Sequence, residues 1–145
     1  MTQRQEKAIK TFRSDFNCAQ SVLSVYSEDL KIDNNLALSI SCGFGGGMGR
    51  LQETCGAVTG AFMAISLFAS SKYSDNKDRK AKSYEMIQNF NKKFIEIHKT
   101  TNCKALLNCD LSTKEGQEYA KSHNVYENIC ENCILSSVQI LDELF

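Results

Sequence analysis

The side chains best equipped for chemistry in this 145-residue chain are seven cysteines: Cys18, Cys42, Cys55, Cys103, Cys109, Cys130 and Cys133. Thiolates attack disulfides and ligate soft metals. Cys18, Cys55 and Cys103 each fall near an expected helix start. Unpaired amides and the helix dipole stabilise negative charge there, which lowers a thiol pKa. The competing reading of any one of them is a small apolar side chain packed in a helical core. Three at the same kind of position favour function. Cys130-Glu131-Asn132-Cys133 is the sole CxxC, a spacing used for redox chemistry or metal binding. A zinc ribbon needs a second such pair, and covalent haem attachment needs a histidine after Cys133. Neither is present. His98 and His123 stand isolated in sequence and read as exposed polar residues rather than ligands.

The elements that must position these thiols centre on Ser41 to Leu67, which holds seven of the eight glycines. Gly43-Phe44-Gly45-Gly46-Gly47-Met48-Gly49 reads as a flexible loop feeding a central buried helix over about 52–70, with Glu53 or Thr54 capping it and Cys55 in its first turn. The loop lacks the lysine and Ser/Thr of a P-loop, so it serves as a tight interhelical turn or a ligand cradle. Gly56, Gly60 and Ala64 recur every four residues. They form a smooth stripe for another helix, within the chain or across a homodimer. The segment's threonines, serine and glycines argue against a membrane span.

Other helices follow from periodicity and capping. Gln3–Ser14 forms the first. Asn17 and Gln20 make a capping box for the second, which buries Ala19, Val22, Leu23 and Tyr26. A third opens at Asp33-Asn34-Asn35 and ends at Gly43. A helix over about 80–98 turns Tyr84, Ile87, Phe90, Phe94 and Ile97 to one side. Cys103–Leu107 is a short helix, Ser112 caps another that runs to about His123, and the last spans about 126–144 with Ile129, Cys133, Ile140 and Leu144 inward. The absence of proline and the lack of turn-flanked strand patterns favour an all-α chain.

Formal net charge is zero, which removes the electrostatic argument for nucleic acid or an anionic membrane. The N-terminal stretch MTQRQEKAIK lacks the apolar core of a signal peptide, so a reducing cytoplasm is expected. There, clustered cysteines more often mean redox chemistry or metal than a disulfide framework.

Five stretches carry a resemblance. Phe16-Asn17-Cys18-Ala19-Gln20-Ser21-Val22, Gly43-Phe44-Gly45-Gly46-Gly47-Met48-Gly49-Arg50, Cys55-Gly56-Ala57-Val58-Thr59-Gly60-Ala61, Cys103-Lys104-Ala105-Leu106-Leu107 and Cys130 stand in the order of the redox-active family named for its C-GCAxxG-C-C pattern. The chain resembles that family over nearly its whole length. The resemblance implies a small bacterial or archaeal helical protein whose four hallmark cysteines correspond to Cys18, Cys55, Cys103 and Cys130. Cys42, Cys109 and Cys133 lie outside the pattern. Asn108-Cys109-Asp110 stands where the family commonly has a glycine before the acidic residue.

The expectation is therefore a single all-α domain over residues 1–145, a helical bundle around the central helix. Function is expected to be thiol-based redox chemistry with an unidentified redox partner. Cys18, Cys55, Cys103 and Cys130 would converge beside the glycine loop, with Cys55 as nucleophile and a second cysteine resolving the mixed disulfide. In the alternative, the same four thiolates hold an iron–sulfur cluster or zinc. A rival of another class is a non-catalytic helical binding module with structural cysteines.

Overall fold

Short polar side chains decide where most of the helices begin. In the computed structural model, which describes residues 1–145, Thr2 and Gln5 form a reciprocal capping box for α1 (Gln3–Phe12). Asn17 and Gln20 do the same for α2 (Cys18–Ser24), as their spacing predicts. Asp33 caps α3 (Asn34–Ser41), and Asn102 caps α6 (Cys103–Leu107) by accepting from the Ala105 N–H. Helix α7 (Lys114–Ser122) starts on Thr113, one residue beyond the expected Ser112, because the Thr113 hydroxyl is the one that meets the Gly116 N–H. The chain is all-α: it contains no strand, only one isolated antiparallel bridge between Thr54 and Asn102.

That bridge explains the main departure from the expected boundaries. The central helix, α4, spans Gly56–Lys72 rather than starting near Gln52. The residues before it are held against 101–103: the Cys55 N–H donates to the Thr101 carbonyl at 2.8 Å, and the Cys103 N–H to the Glu53 carbonyl at 2.6 Å. Cys55 is consequently the residue before the helix, and neither Glu53 nor Thr54 caps it. Helix α5 (Asn76–His98) starts earlier than expected, and its buried residues are Ser83, Met86, Phe90 and Phe94. Tyr84 and Ile97 are exposed, at 60% and 52%. Tyr84 is one residue off the 83-86-90-94 register, which turns it about 100° away from Ser83, whereas Ile97 keeps that register and is exposed in the last turn of the helix. The last helix opens as a wide π-turn over Tyr126–Cys130 and tightens into α8 (Glu131–Leu144). Cys133 and Ile140 are buried as expected, whereas Ile129 and Leu144 are only partly so.

Helix α4 packs against α2, α5 and α8. Its small-residue stripe is a contact inside the chain. A Cβ added at Gly60 would lie 2.7 Å from the Ala19 carbonyl oxygen, and one at Gly56 would lie 2.5 Å from the Cys18 sulfur. Around this contact Val22, Leu23, Val58, Ile65, Phe90, Phe94, Ile134 and Leu141 form the main core. Tyr26 joins α2 to α8: its hydroxyl is 3.0 Å from the Val138 carbonyl and 2.8 Å from the Asp142 carboxylate, while Arg4 from α1 lies over its ring. A second, smaller cluster joins Cys103, Leu107, Leu111, Ala120 and Val125. No helix is long and apolar enough to cross a membrane.

The glycine segment is ordered by its own backbone. A 3-10 turn over Cys42–Phe44 leads into Gly46, Gly47, Met48, Gly49 and Arg50, all with positive φ between 62° and 70°. Runs of left-handed residues are rare, because each side chain there meets the following carbonyl at a cost of about 1–2 kcal/mol. At Gly47 the glycine is required twice. Its φ is +70°, and an added Cβ would sit 2.6 Å from the Cys103 Cβ and 2.7 Å from the Gln52 Cα. Bonds from the Gln52 N–H to the Gly46 carbonyl and from the Glu53 N–H to the Gly47 carbonyl close the turn.

Candidate functional site

Four local devices bring the thiols together. Asn17 places Cys18 at the first position of α2, and its amide also donates to the Cys42 carbonyl at 2.8 Å, tying that helix start to the glycine turn. The Thr54–Asn102 bridge sets Cys55 beside the segment that carries Cys103. Absence of a side chain at Gly47 lets Cys103 approach the turn. The π-turn widens the chain at Cys130, and Cys133 follows in the first turn of α8. Helix irregularities of this kind are frequent at functional sites.

Six of the seven cysteines, Cys18, Cys42, Cys55, Cys103, Cys130 and Cys133, line one cavity of about 720 Å³. All seven are free thiols. The four cysteines singled out from the sequence thus face a common space beside the glycine turn. Two more join them, Cys42 on the exposed 3-10 turn and the buried Cys133. Cys109 is not part of the lining. The Cys55 thiol stands against the thiols of both Cys18 and Cys133. No group of three or more His, Cys, Asp or Glu side chains is set at metal-holding geometry. His98 is half-buried rather than exposed and bonds Ser136 at 2.8 Å, while His123 is exposed against Tyr119. Neither lines the cavity.

The electrostatics overturn the expectation of low-pKa thiols. Hydrogen bonding to Cys55, with burial behind it, pushes the Cys18 thiol well up. Interaction with Cys133, and then burial, does the same to Cys55, and burial does it to Cys130. Burial lifts Cys103 to about 11 despite a hydrogen bond from the Gln52 side chain. The Gly46 N–H pulls Cys18 downward and is outweighed. A helix start favours a thiolate through a few partial charges, but removal from water disfavours the whole charge. Here α2 and α6 are only 7 and 5 residues long. Burial and the neighbouring thiols thus favour the protonated form of Cys18, Cys55, Cys103 and Cys130.

Nothing in the sequence marks Gln52 as a site residue. It is buried with φ +53°, and its side chain accepts from the Leu111 N–H at 2.7 Å and donates to the Cys109 carbonyl at 2.9 Å. Placed inside an expected helix, it gave no sign of this role. Cys133 did carry a signal, the CxxC spacing, which puts both cysteines of the pair on the cavity wall. Charge around the cavity is sparse: Arg50 and Asp15 are the only charged residues in its lining.

An all-helical chain that gathers six thiols around one cavity belongs to the class of small cysteine-site proteins. Comparison with known proteins narrows this. The sequence model of the family described as "Putative redox-active protein (C_GCAxxG_C_C)" matches residues 16–144, and the chain belongs to that family. An uncharacterized protein of Archaeoglobus fulgidus is 28% identical over 106 residues, covering 68% of this chain and 70% of its own length. No solved structure matches.

Proposed function

We propose that the chain performs thiol–disulfide exchange at the cavity as a two-electron dithiol donor, with Cys18, Cys55, Cys103 and Cys130 as the reacting set and Cys133 added to it. The observation that carries this reading is the gathering of six free thiols at one cavity, with Cys55 in contact with two of them. In the exchange, one cavity cysteine loses its proton and attacks a disulfide sulfur of the oxidised partner. A mixed disulfide forms, the partner's S–S bond breaks, and the leaving thiolate takes up a proton. A second cysteine, deprotonated in turn, attacks the mixed disulfide and releases the other partner thiol. One protein disulfide and two partner thiols result, and two protons have passed from the protein to the products. Elevated thiol pKa values suit a donor, because no thiolate is stabilised to hold the site reduced. A reducing cytoplasm would regenerate the dithiol.

The test is mild oxidation of the reduced protein with diamide, followed by peptide mapping. A Cys18–Cys55 or Cys55–Cys133 bridge that forms within the monomer and reverses with dithiothreitol is expected. Oxidation confined to the exposed Cys42, with the buried thiols still free, would sink the reading.

A further inference from the structure

The cavity's only two charged residues are opposite in sign, and neither takes part in any of the chain's ion pairs. Both are exposed, and both are held by left-handed backbone, Asp15 at φ +72° and Arg50 at φ +62°. Arg50 is well placed. Its aliphatic stem crosses Gly46, where an added Cβ would lie 2.7 Å from the Arg50 Cγ, and Gly46 is the residue whose N–H meets the Cys18 thiol. Its charge also reaches Tyr126 on the π-turn, which lines the same cavity. Arg50 thus packs its stem on the glycine turn, its charge is felt at the π-turn, and it lines the cavity that the thiols share. Two opposite charges without ion-pair partners on the lining of one cavity are complementary to a ligand carrying both signs.

We infer that the cavity takes a low-molecular-weight disulfide with zwitterionic, amino-acid-type ends, with Arg50 receiving a carboxylate and Asp15 an ammonium group. This substrate class rests on the exchange reading above, and the reaction is the same balanced exchange, with the ligand's S–S bond as the one that breaks. Arg50 and Asp15 touch the ends of the ligand and not its sulfurs. They act on selection among disulfides.

The experiment uses the full-length reduced protein and four disulfides: cystine (zwitterionic), dithiodiglycolate (anionic), cystamine (cationic) and 2-hydroxyethyl disulfide (neutral). Rates of oxidation are normalised to those of a small free dithiol with the same four. The normalised rate for cystine should exceed that for the neutral disulfide by about 1.5- to five-fold per ion pair, the size of an exposed pair. The excess should shrink as salt is raised. Arg50→Gln should lower the cystine-to-neutral and dithiodiglycolate-to-neutral ratios. Asp15→Asn should lower those for cystine and cystamine. Equal normalised rates for all four disulfides in the wild-type protein, or ratios indifferent to salt and to both substitutions, would overturn the zwitterion inference and leave the exchange reading standing. If no disulfide, the neutral one included, oxidises a buried cavity cysteine while the same cysteines react in denaturant, both fall. The salt series on the wild-type protein keeps the inference open to refutation even if a variant misfolds.

Discussion

The cavity has two walls of unequal build. Cys18, Cys55 and Cys133 belong to the main core, a cluster of 22 buried residues made where α2, α4, α5 and α8 meet. Cys103 belongs to a cluster of 5, with Cys109 and Cys130 packed at its edge. The first wall is fixed by helix-on-helix packing with backbone close to backbone. The second hangs on polar tethers: the Thr54–Asn102 bridge, the Gln52 side chain and the Asn102 cap. A cluster of that size buries too little apolar surface to be stable alone, so it opens at lower free energy than the core. A thiol site at the seam between a rigid and a looser wall can keep its inner sulfurs in place while the outer wall yields to a ligand.

The comparison breaks most decisively at the aromatic centre of the main core. Phe90 is fully buried between Phe62 and Phe94. Phe90→Ala should cost about 3–5 kcal/mol in chemical denaturation, lost from both walls together because the second depends on the first. A smaller, sharper probe is Gly60→Ala. The added methyl gains helix propensity but drives into the Ala19 backbone, which cannot swing aside. Overpacking should win, with a net loss of about 1–3 kcal/mol. A neutral outcome would mean that α2 and α4 separate easily and that the inner wall is not rigid.

On the other wall, Gln52→Ala leaves the Leu111 N–H and the Cys109 carbonyl without partners, at about 1–3 kcal/mol. The loss should be local, read as faster amide exchange over residues 103–122 with the core helices still protected. Uniform acceleration would erase the distinction between the walls.

The subtlest prediction concerns protons. Burial raises the Cys103 thiol to about 11, against about 8.5 for an unperturbed thiol. Between those values the folded chain holds a proton that the unfolded chain has lost. The stability this provides is whole below about pH 8.5, declines as pH rises toward 11, and changes no further beyond it. In iodoacetamide labelling at pH 8, native reduced Cys103 should react more than about tenfold slower than in denaturant, with the gap closing as pH approaches 11. Fast labelling of Cys103 at neutral pH would contradict the upward shift that burial gives this thiol.

Local chemistry was legible in the sequence, and environment was not. The Asn17–Gln20 capping box and the Cys103–Leu107 helix follow from residue type and spacing and stand as expected. The Gly56–Gly60 stripe was readable too, because small residues four apart serve one purpose in a helix. What failed was the inference from helix start to low thiol pKa. Position along a helix is a property of a dozen neighbouring residues, whereas burial depends on the whole fold. Cys133 lies outside the family pattern, yet its thiol stands against that of Cys55. Nothing local to Met48, Arg50 or Gln52 announces their left-handed backbone; it is imposed by the glycines around them and by the bridge to 101–103.

That bridge also makes the α4–α5 hairpin a closed circuit. Residues 53–55 and 101–103 are stapled by backbone bonds, so the path out along α4 and back along α5 begins and ends at the thiols. The turn at the far end, between Lys72 and Asn76, lies about 25 Å away along the helix axis. Covalent continuity at that tip is therefore redundant for the cavity. The chain can be rewired there, with new termini at 73–75 and the old ones joined by a linker, while Cys55 and Cys103 remain held at the base by the same two hydrogen bonds.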